Sequence, residues 1–437
     1  IIVPATKGKE NAPKLILQVH QDMVCLGNPS PAEKGVRPML DATGKKIVAK
    51  NTTLGADNRG GIAELLALTD EPIEHGELAL LFTTAEEVGL EGAEKLNFKK
   101  HDLSNHYALI NVDGEKVGEA DIGSAAAANS IIELPVEKIT SNGKTLLKIV
   151  IEGGRGGHSG VDIHTKRVNA IKELADVLQM INQRNKLNLV SFTAGAIENG
   201  VPVRNAISSS AEAVIAVDQD TKSIIRSILK HKRKKIHCEF KREKKLKISL
   251  KVKEEENTEM MDDQSTNNAL NLLSQLPHGV IERVKDNPLV GKLTTKSTNL
   301  AIVRTEGNNM TVQMMSRSAE DEGLSQIRED IKRVAKKISA KVKESKPYPA
   351  CSQSSDTELF TFAKQLYKKM FGKPLKVTIT HGGLELGWWK KFWPEMPMMA
   401  IPAATIKDAH SKTESMLISS ITPAYRFLVG LVEGIAR

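Results

Sequence analysis

The sequence predicts an α/β protein: a mostly parallel sheet domain made of residues 1–126 and 347–437, interrupted by an α+β domain over 127–346. Three observations carry this. Short apolar runs alternate with helical segments up to residue 126, the βαβ rhythm of a sheet covered on both faces. The rhythm stops near 127, where long amphipathic segments and polar-alternating strands take over, and returns after Pro347-Tyr-Pro-Ala350. A chain of 437 residues also exceeds what one ordinary core accommodates, so two domains are expected.

Leu15-Ile-Leu-Gln-Val-His-Gln-Asp-Met-Val24 opens with an apolar run that reads as a buried strand. It ends on His20 and Asp22, which as i and i+2 point to the same side. Thr53-Leu-Gly-Ala-Asp-Asn-Arg-Gly-Gly61 is a glycine-rich turn leading into a helix over 60–68. Asp57 in that turn is either a helix N-cap, the commoner fate of such an aspartate, or a rigidly held carboxylate. The strand runs Leu78-Ala-Leu-Leu-Phe-Thr-Thr84 and Tyr107-Ala-Leu-Ile-Asn-Val-Asp113 lead to Glu86, Glu87 and Asp113. Ligands of parallel sheets gather beyond the carboxyl ends of the strands, where all these acidic groups fall.

In the second domain, Val168-Asn-Ala-Ile-Lys-Glu-Leu-Ala-Asp-Val-Leu178 reads as an amphipathic helix and Ala211-Glu-Ala-Val-Ile-Ala-Val217 as a strand. Beyond Ala350 come a helix from Thr357 to Tyr367, a strand Lys376-Val-Thr-Ile-Thr380, a polar loop Lys407-Asp-Ala-His-Ser-Lys-Thr-Glu414 and a last helix from Pro423 to Ile435.

Composition narrows the function classes. The 40% apolar and 26% charged fractions are those of a soluble globular protein. No apolar stretch reaches the roughly 18–20 residues that span a bilayer. The N-terminus shows no basic region followed by an apolar core, so no export signal is expected. Cys25, Cys238 and Cys351 are too scattered for a disulfide framework or a thiolate zinc site, which fits a reducing, cytoplasmic setting. The net charge of +9 is concentrated in residues 230–253. The alternation in Lys247-Ile-Ser-Leu-Lys-Val-Lys253 reads as an edge strand whose lysines face water and deter edge-to-edge pairing. Nucleic-acid binding is disfavoured because that run offers one aromatic side chain, Phe240, for stacking.

Two histidines, several carboxylates and one spare carboxylate form the inventory of a site for two divalent ions sharing a carboxylate. Two adjacent carboxylates such as Glu86 and Glu87 are costly at a sheet mouth without cations. The donor set lacks thiolate and suits Zn²⁺, Mn²⁺ or Co²⁺.

In order and type, His20-x-Asp22, Asp57, Glu86-Glu87, Asp113 and His410 resemble the two-metal aminopeptidase and aminoacylase superfamily, and within it the aminoacyl-histidine (Xaa-His) dipeptidases. Thr52-Thr-Leu-Gly-Ala-Asp-Asn58, Thr84-Ala-Glu-Glu-Val-Gly89, Gly156-Gly-His-Ser-Gly160, Arg204-Asn-Ala-Ile207 and His381-Gly-Gly-Leu-Glu385 extend the likeness over nearly the whole chain. Such enzymes carry about fifty further residues before the first motif strand, so the chain reads as lacking that segment.

The resemblance implies a phosphorylase/hydrolase-like sheet with a lid that dimerises, no membrane partner, and two ions, Zn²⁺ first. Asp57 would bridge the ions, with His20 and Asp113 at one and Glu87 and His410 at the other. Glu86 would be the general base that activates a metal-bridging hydroxide, and Asp22 would orient His20. His158 would stabilise the oxyanion, and Asn205, Arg317 and Gly383 would hold the C-terminal end of a dipeptide. Taken alone, His158 reads as a turn residue and Arg317 as a surface arginine; His75, His101 and His164 fall in no motif and read as surface residues. The loop after His410 departs from the family pattern: Ser-Lys-Thr-Glu replaces the usual Ser-Pro-Asp-Glu, and Ala409 stands where relatives have proline. The expected activity is hydrolysis of unblocked dipeptides. The alternatives are a tripeptide aminopeptidase, an N-acyl amino-acid hydrolase, or a non-catalytic relative that binds peptide or nucleic acid.

Overall fold

The structure, a computed structural model, describes residues 1–96, 103–198, 201–253, 258–287 and 291–437. They fall into two compact units: Ile1–Ala126 with Lys285–Leu293 and Tyr348–Arg437, and Ala127–Val284 with Thr294–Pro347.

The first unit is built on seven strands in the order Ile2–Val3, Leu78–Thr83, Leu15–His20, Ala108–Gly114, Met398–Pro402, Glu119–Ser124 and Lys376–Thr380. Four neighbouring pairs run parallel. Ile2–Val3 against Leu78–Thr83, and Met398–Pro402 against Glu119–Ser124, run antiparallel. Successive side chains of a strand face opposite layers. Leu15, Leu17 and Val19 meet Leu65 and Leu68 of the helix Ala56–Asp70 and Phe427, Leu428 and Leu431 of the helix Ile418–Ile435. Ile16 and Leu109 belong to the opposite layer, with Trp388, Trp389 and Trp393. Continuing that second row, Gln18 and then His20 follow Ile16, while Asn111 and then Asp113 follow Leu109. The polar ends of both strands therefore share one face.

The helix Ala56–Asp70 seats closely on the sheet because Gly61 lacks a side chain: a Cβ there would lie 2.5 Å from the Val112 carbonyl oxygen. Glu64 of this helix is buried and neither of its carboxyl oxygens has a hydrogen-bond partner. The last helix begins at Ile418, five residues before the proline that the sequence reading took as its start. Pro423 is the sixth residue of this helix, past its first turn. Four short antiparallel strands, Thr405–Lys407, Ser415–Leu417, Lys46–Ala49 and Pro38–Leu40, form a separate small sheet. The first two are joined by the loop 408–414, which carries His410.

The second unit holds a larger sheet, with Lys247–Lys253, Thr145–Glu152, Ala211–Val217, Asn188–Ala194, Gly291–Glu306 and Asn309–Ser318 in succession. The helices Ala170–Arg184, Lys222–Glu239 and Asp263–Gln275 share its core. The first of these is capped by Asn169, whose side-chain oxygen accepts from the amides of Ile171 and Lys172. Lys247–Lys253 ends the strand order, with Lys247 and Lys251 exposed and Ile248 buried. Within the basic run, Lys232 is buried between Glu173 and Asp176, at 2.6 and 2.5 Å. His75, read from sequence as a surface residue, is buried, with Nδ1 2.7 Å from the Gly76 carbonyl oxygen. His164 is exposed, and His101 lies outside the described residues. Among the described residues no helix is long and apolar enough to cross a membrane.

Candidate metal centre

The seven polar residues singled out in the first unit converge. His20 is the last residue of its strand and Asp113 the penultimate residue of Ala108–Gly114. Glu86 and Glu87 sit in the turn beyond Leu78–Thr83. Asp57 lies in the first turn of its helix with non-helical dihedrals. Asp57 stands between two histidines: its Oδ1 is 2.9 Å from His20 Nε2 and its Oδ2 is 3.0 Å from His410 Nε2. His20 Nε2 also lies 3.4 Å from Asp113 Oδ1, and His410 Nε2 lies 3.0 Å from Glu87 Oε1. Ligand atoms of His20, Asp57 and Asp113 lie within 4.8 Å of one another, as do those of Asp57, Glu87 and His410, and those of His20, Glu86 and Glu87.

The hydrogen bonds of these groups show what the cluster lacks. His20 Nδ1 is 3.1 Å from the Asp22 carbonyl oxygen, which can only accept, so Nδ1 carries a proton. A neutral His20 then aims the lone pair of Nε2 at two carboxylate oxygens, an arrangement that a cation between them relieves. At the other end, the single Nε2 of His410 faces both Asp57 Oδ2 and Glu87 Oε1, and Glu87 Oε1 is buried and accepts no hydrogen bond. Two cations sharing Asp57 would satisfy both ends, so the residues present fit a pair of divalent ions held by nitrogen and oxygen donors.

The titration behaviour follows from the same crowding. Burial and the neighbouring Glu87 and Asp113 push Glu86 well above the usual carboxyl range. Burial, with Asp57 beside it, raises Asp113 to about 8. Burial opposes the charge of His410, but Asp57 and Glu87 outweigh it and lift the imidazole to about 12. Asp57, although buried, is held below the carboxylate range by His20 and His410.

Three supports around the cluster were not assigned from sequence. The carboxylate of Asp22 accepts from the amides of Glu86 and Glu87, both at 3.1 Å, and thereby anchors the turn that presents them. Its Oδ1 also lies 3.6 Å from His20 Nδ1, beside the 3.1 Å contact of the Asp22 backbone carbonyl with the same nitrogen. Glu414 accepts from the amides of Leu54, Gly55 and Ala56 at 2.8–3.0 Å, at the entrance to the Asp57 helix. Beneath His20, the buried Glu385 accepts from Thr83 Oγ1 at 2.7 Å and from Gln18, whose carbonyl oxygen accepts from Asn111 and Trp389. Gly55 offered one signal for Glu414: a helix N-cap without a side chain leaves first-turn amides in need of an acceptor.

The remaining candidates divide between the units. Gly383 is in the first unit, where a Cβ would lie 2.7 Å from the Tyr348 hydroxyl. His158, Asn205 and Arg317 are in the second. His158 bridges to Ala206, and the Asn205 carbonyl accepts from the Ser159 amide at 2.6 Å, so the Gly-Gly-His-Ser-Gly and Arg-Asn-Ala-Ile motifs lie side by side. His158 Nδ1 accepts from the Val161 amide at 3.2 Å, which places the ring proton on Nε2. Arg317 is buried on the strand Asn309–Ser318, opposite Ser297, and is no surface arginine.

The model of peptidase family M20/M25/M40 matches residues 56–434. The cytosol non-specific dipeptidase of Escherichia coli (strain K12) is 31% identical over 442 residues, covering 99% of this chain and 87% of that protein. The crystal structure of aminoacylhistidine dipeptidase from Vibrio alginolyticus matches with a TM-score of 0.80 at 28% identity, over 99% of this chain and 87% of that one. A tripeptidase from Staphylococcus aureus shares the fold at 15% identity, with a TM-score of 0.51 over 100% of this chain and 83% of that one.

Proposed function

The chain belongs to peptidase family M20/M25/M40, and we propose that within it the protein is a two-metal dipeptidase cleaving unblocked dipeptides, with Xaa-His as the preferred type. The observation that carries the two-metal part is Asp57, whose two oxygens reach two different histidines, each grouped with a further carboxylate. The dipeptide part is supported by the names of the Escherichia coli and Vibrio alginolyticus relatives. His20 and Asp113 would hold one ion, Glu87 and His410 the other, with Asp57 shared; Zn²⁺, Mn²⁺ and Co²⁺ suit these donors. Bound ions would acidify a water and polarise the peptide carbonyl.

The chain's own groups do the rest. Glu86 takes the proton of the attacking water and delivers it to the leaving amine. Asp22 fixes Glu86 and Glu87 through their amides. His158 stabilises the oxyanion, while Asn205, Gly383 and the Arg317 guanidinium receive the dipeptide's C-terminal end, the guanidinium because its fork pairs with a carboxylate. These substrate roles rest on the motif resemblance. A homodimer formed through the second unit, in the cytoplasm, completes the proposal.

The test is hydrolysis of Ala-His and β-Ala-His by purified, chelated protein, before and after adding Zn²⁺, Mn²⁺ or Co²⁺, beside a tripeptide and an N-acetyl amino acid. Metal-restored cleavage of the dipeptides, faster than that of the other substrates, is expected. Preference for the tripeptide or the N-acyl substrate would move the chain to another hydrolase class, and inactivity of the folded, metal-loaded protein would refute the reading.

A further inference from the structure

We infer that Glu414 is a positioning residue for the metal centre: its carboxylate locks the tip that presents Asp57 to the loop that presents His410, and so sets the gap in which the second ion sits. The inference rests on the two-metal reading above.

Asp57 and His410 are 353 positions apart in the chain, yet their reacting atoms meet at 3.0 Å. Neither is placed by regular structure. Asp57 and Asn58 depart from helical dihedrals, and Gly55 just before them is left-handed and provides no side-chain cap. His410 and Asp408 also adopt left-handed backbone, with φ of +61° and +53°, a region that few side-chain-bearing residues occupy. Something must restrain both tips together.

Glu414 does so with one buried carboxylate. Its Oε2 accepts from Leu54 N at 2.9 Å and Gly55 N at 3.0 Å, and its Oε1 accepts from Ala56 N at 2.8 Å. Ala56 is bonded directly to Asp57. At its other end, Glu414 closes the His410 loop: its amide donates to the Ser411 carbonyl at 3.1 Å, and Ser411 Oγ donates to the Asp408 carbonyl at 2.7 Å. The next residue, Ser415, enters the strand pairing with Lys46–Ala49. From a remote part of the chain, the carboxylate thus holds the turn leading into the helix, together with its first amide, where negative charge at a helix N-terminus is favoured. In doing so it ties the two ligands to a common backbone frame. Groups that orient ligands in this way typically change metal affinity ~10–100-fold when removed.

The geometry also predicts which ion is affected. The group Asp57, Glu87 and His410 contains both locked tips, whereas His20, Asp57 and Asp113 contains one. Glu414→Gln retains the shape and one acceptor oxygen but turns an N–H-bearing nitrogen toward amides that need an acceptor. Glu414→Asp retains the charge with a shorter reach.

The experiment measures Co²⁺ binding to the full chain by competition with a chromogenic chelator and by the visible spectrum of the bound ion. The expected result is stepwise: wild type binds two ions, and Glu414→Gln loosens one of them ~10–100-fold while the other stays within a few-fold. Glu414→Asp lies between. At saturating metal, Glu414→Gln recovers turnover with KM unchanged. A role in stability alone would lower the melting temperature of metal-free protein without separating the two affinities, and equal affinities in a folded Glu414→Gln protein would overturn the inference. If wild type binds no second ion, the two-metal reading fails instead, and with it this one.

Discussion

Asp57 would serve two cations only if both of its oxygens were available to them, and its two oxygens reach two different histidines. Glu414 holds the amides of Leu54, Gly55 and Ala56 just ahead of Asp57, whose carboxylate reaches His20 and His410. Glu86 shares with Glu87 a turn anchored by Asp22, and burial together with Glu87 and Asp113 raises its proton affinity. A carboxylate held beside the cluster in this way is placed to take a proton from water and pass it to a leaving amine. Glu86→Gln is therefore expected to lower kcat by ~10²–10⁴-fold with bound metal at the wild-type level, measured on one preparation by kinetics and elemental analysis. Wild-type turnover in a metal-replete variant would remove Glu86 from the chemistry. His20, Asp22, Asp57, Glu86, Glu87, Asp113 and His410 were legible in sequence because polar groups closing apolar strands or glycine-rich turns stand out against their surroundings. Glu385 stands in a motif string, but neither its partners nor those of Glu414 were legible. A carboxylate that accepts from backbone amides or from a glutamine has no partner-specific residue pattern, and its partners lie more than 300 positions away.

Among the elements, the helix Ala56–Asp70 carries both the shared carboxylate and a liability. Glu64 is turned into the layer shared with the sheet and the last helix, and burial alone pushes its carboxyl up to about 9. Folding therefore favours the protonated form. Below the unfolded carboxyl pKa of about 4.5 the group is neutral in both states and costs nothing. As pH rises from there toward 9, the unfolded chain releases the proton and the folded chain retains it, so stability falls, by up to about 1.4 kcal/mol per pH unit. Urea unfolding of wild type and Glu64→Gln between pH 5 and 9 is expected to show a declining stability in the first and a flatter profile in the second. Parallel profiles would mean that Glu64 is ionised in the fold. The apolar rhythm revealed this helix but could not flag Glu64, since one acid in a helix interior usually faces water. The same limit explains the last helix: a proline suggests a start, yet here the turn before it is helical because Ser420 and its neighbours are already seated, Ser420 Oγ donating to the Leu417 carbonyl at 2.6 Å.

At the scale of the whole chain, each compact unit has its own core, and among the described residues the histidine–carboxylate groups all belong to the first. So do the three tryptophans, Trp388, Trp389 and Trp393, whose layer includes Ile16 and Leu109, on the face that also carries His20 and Asp113. Tryptophan fluorescence thus reports on the unit that would hold the ions. Without them, that unit keeps Asp57, Glu86, Glu87 and Asp113 together against two histidines, a concentration of buried acid that is costly unless protons or cations balance it. Ions bound to the folded state alone stabilise it by mass action, about 2.7 kcal/mol per site at a hundredfold excess over Kd. Chelation is expected to lower the fluorescence-detected melting temperature, and added Zn²⁺, Mn²⁺ or Co²⁺ to restore it in proportion to the logarithm of free ion. Asp57→Asn weakens both sites at once, because each contains Asp57, and should abolish most of that dependence; the metal-free melting temperature should fall as well, since the negative charge that balances His20 and His410 is gone. If instead the variant retained the full metal response, the ions would have to bind without Asp57, and the pairing of two ions about one carboxylate would be wrong for this protein.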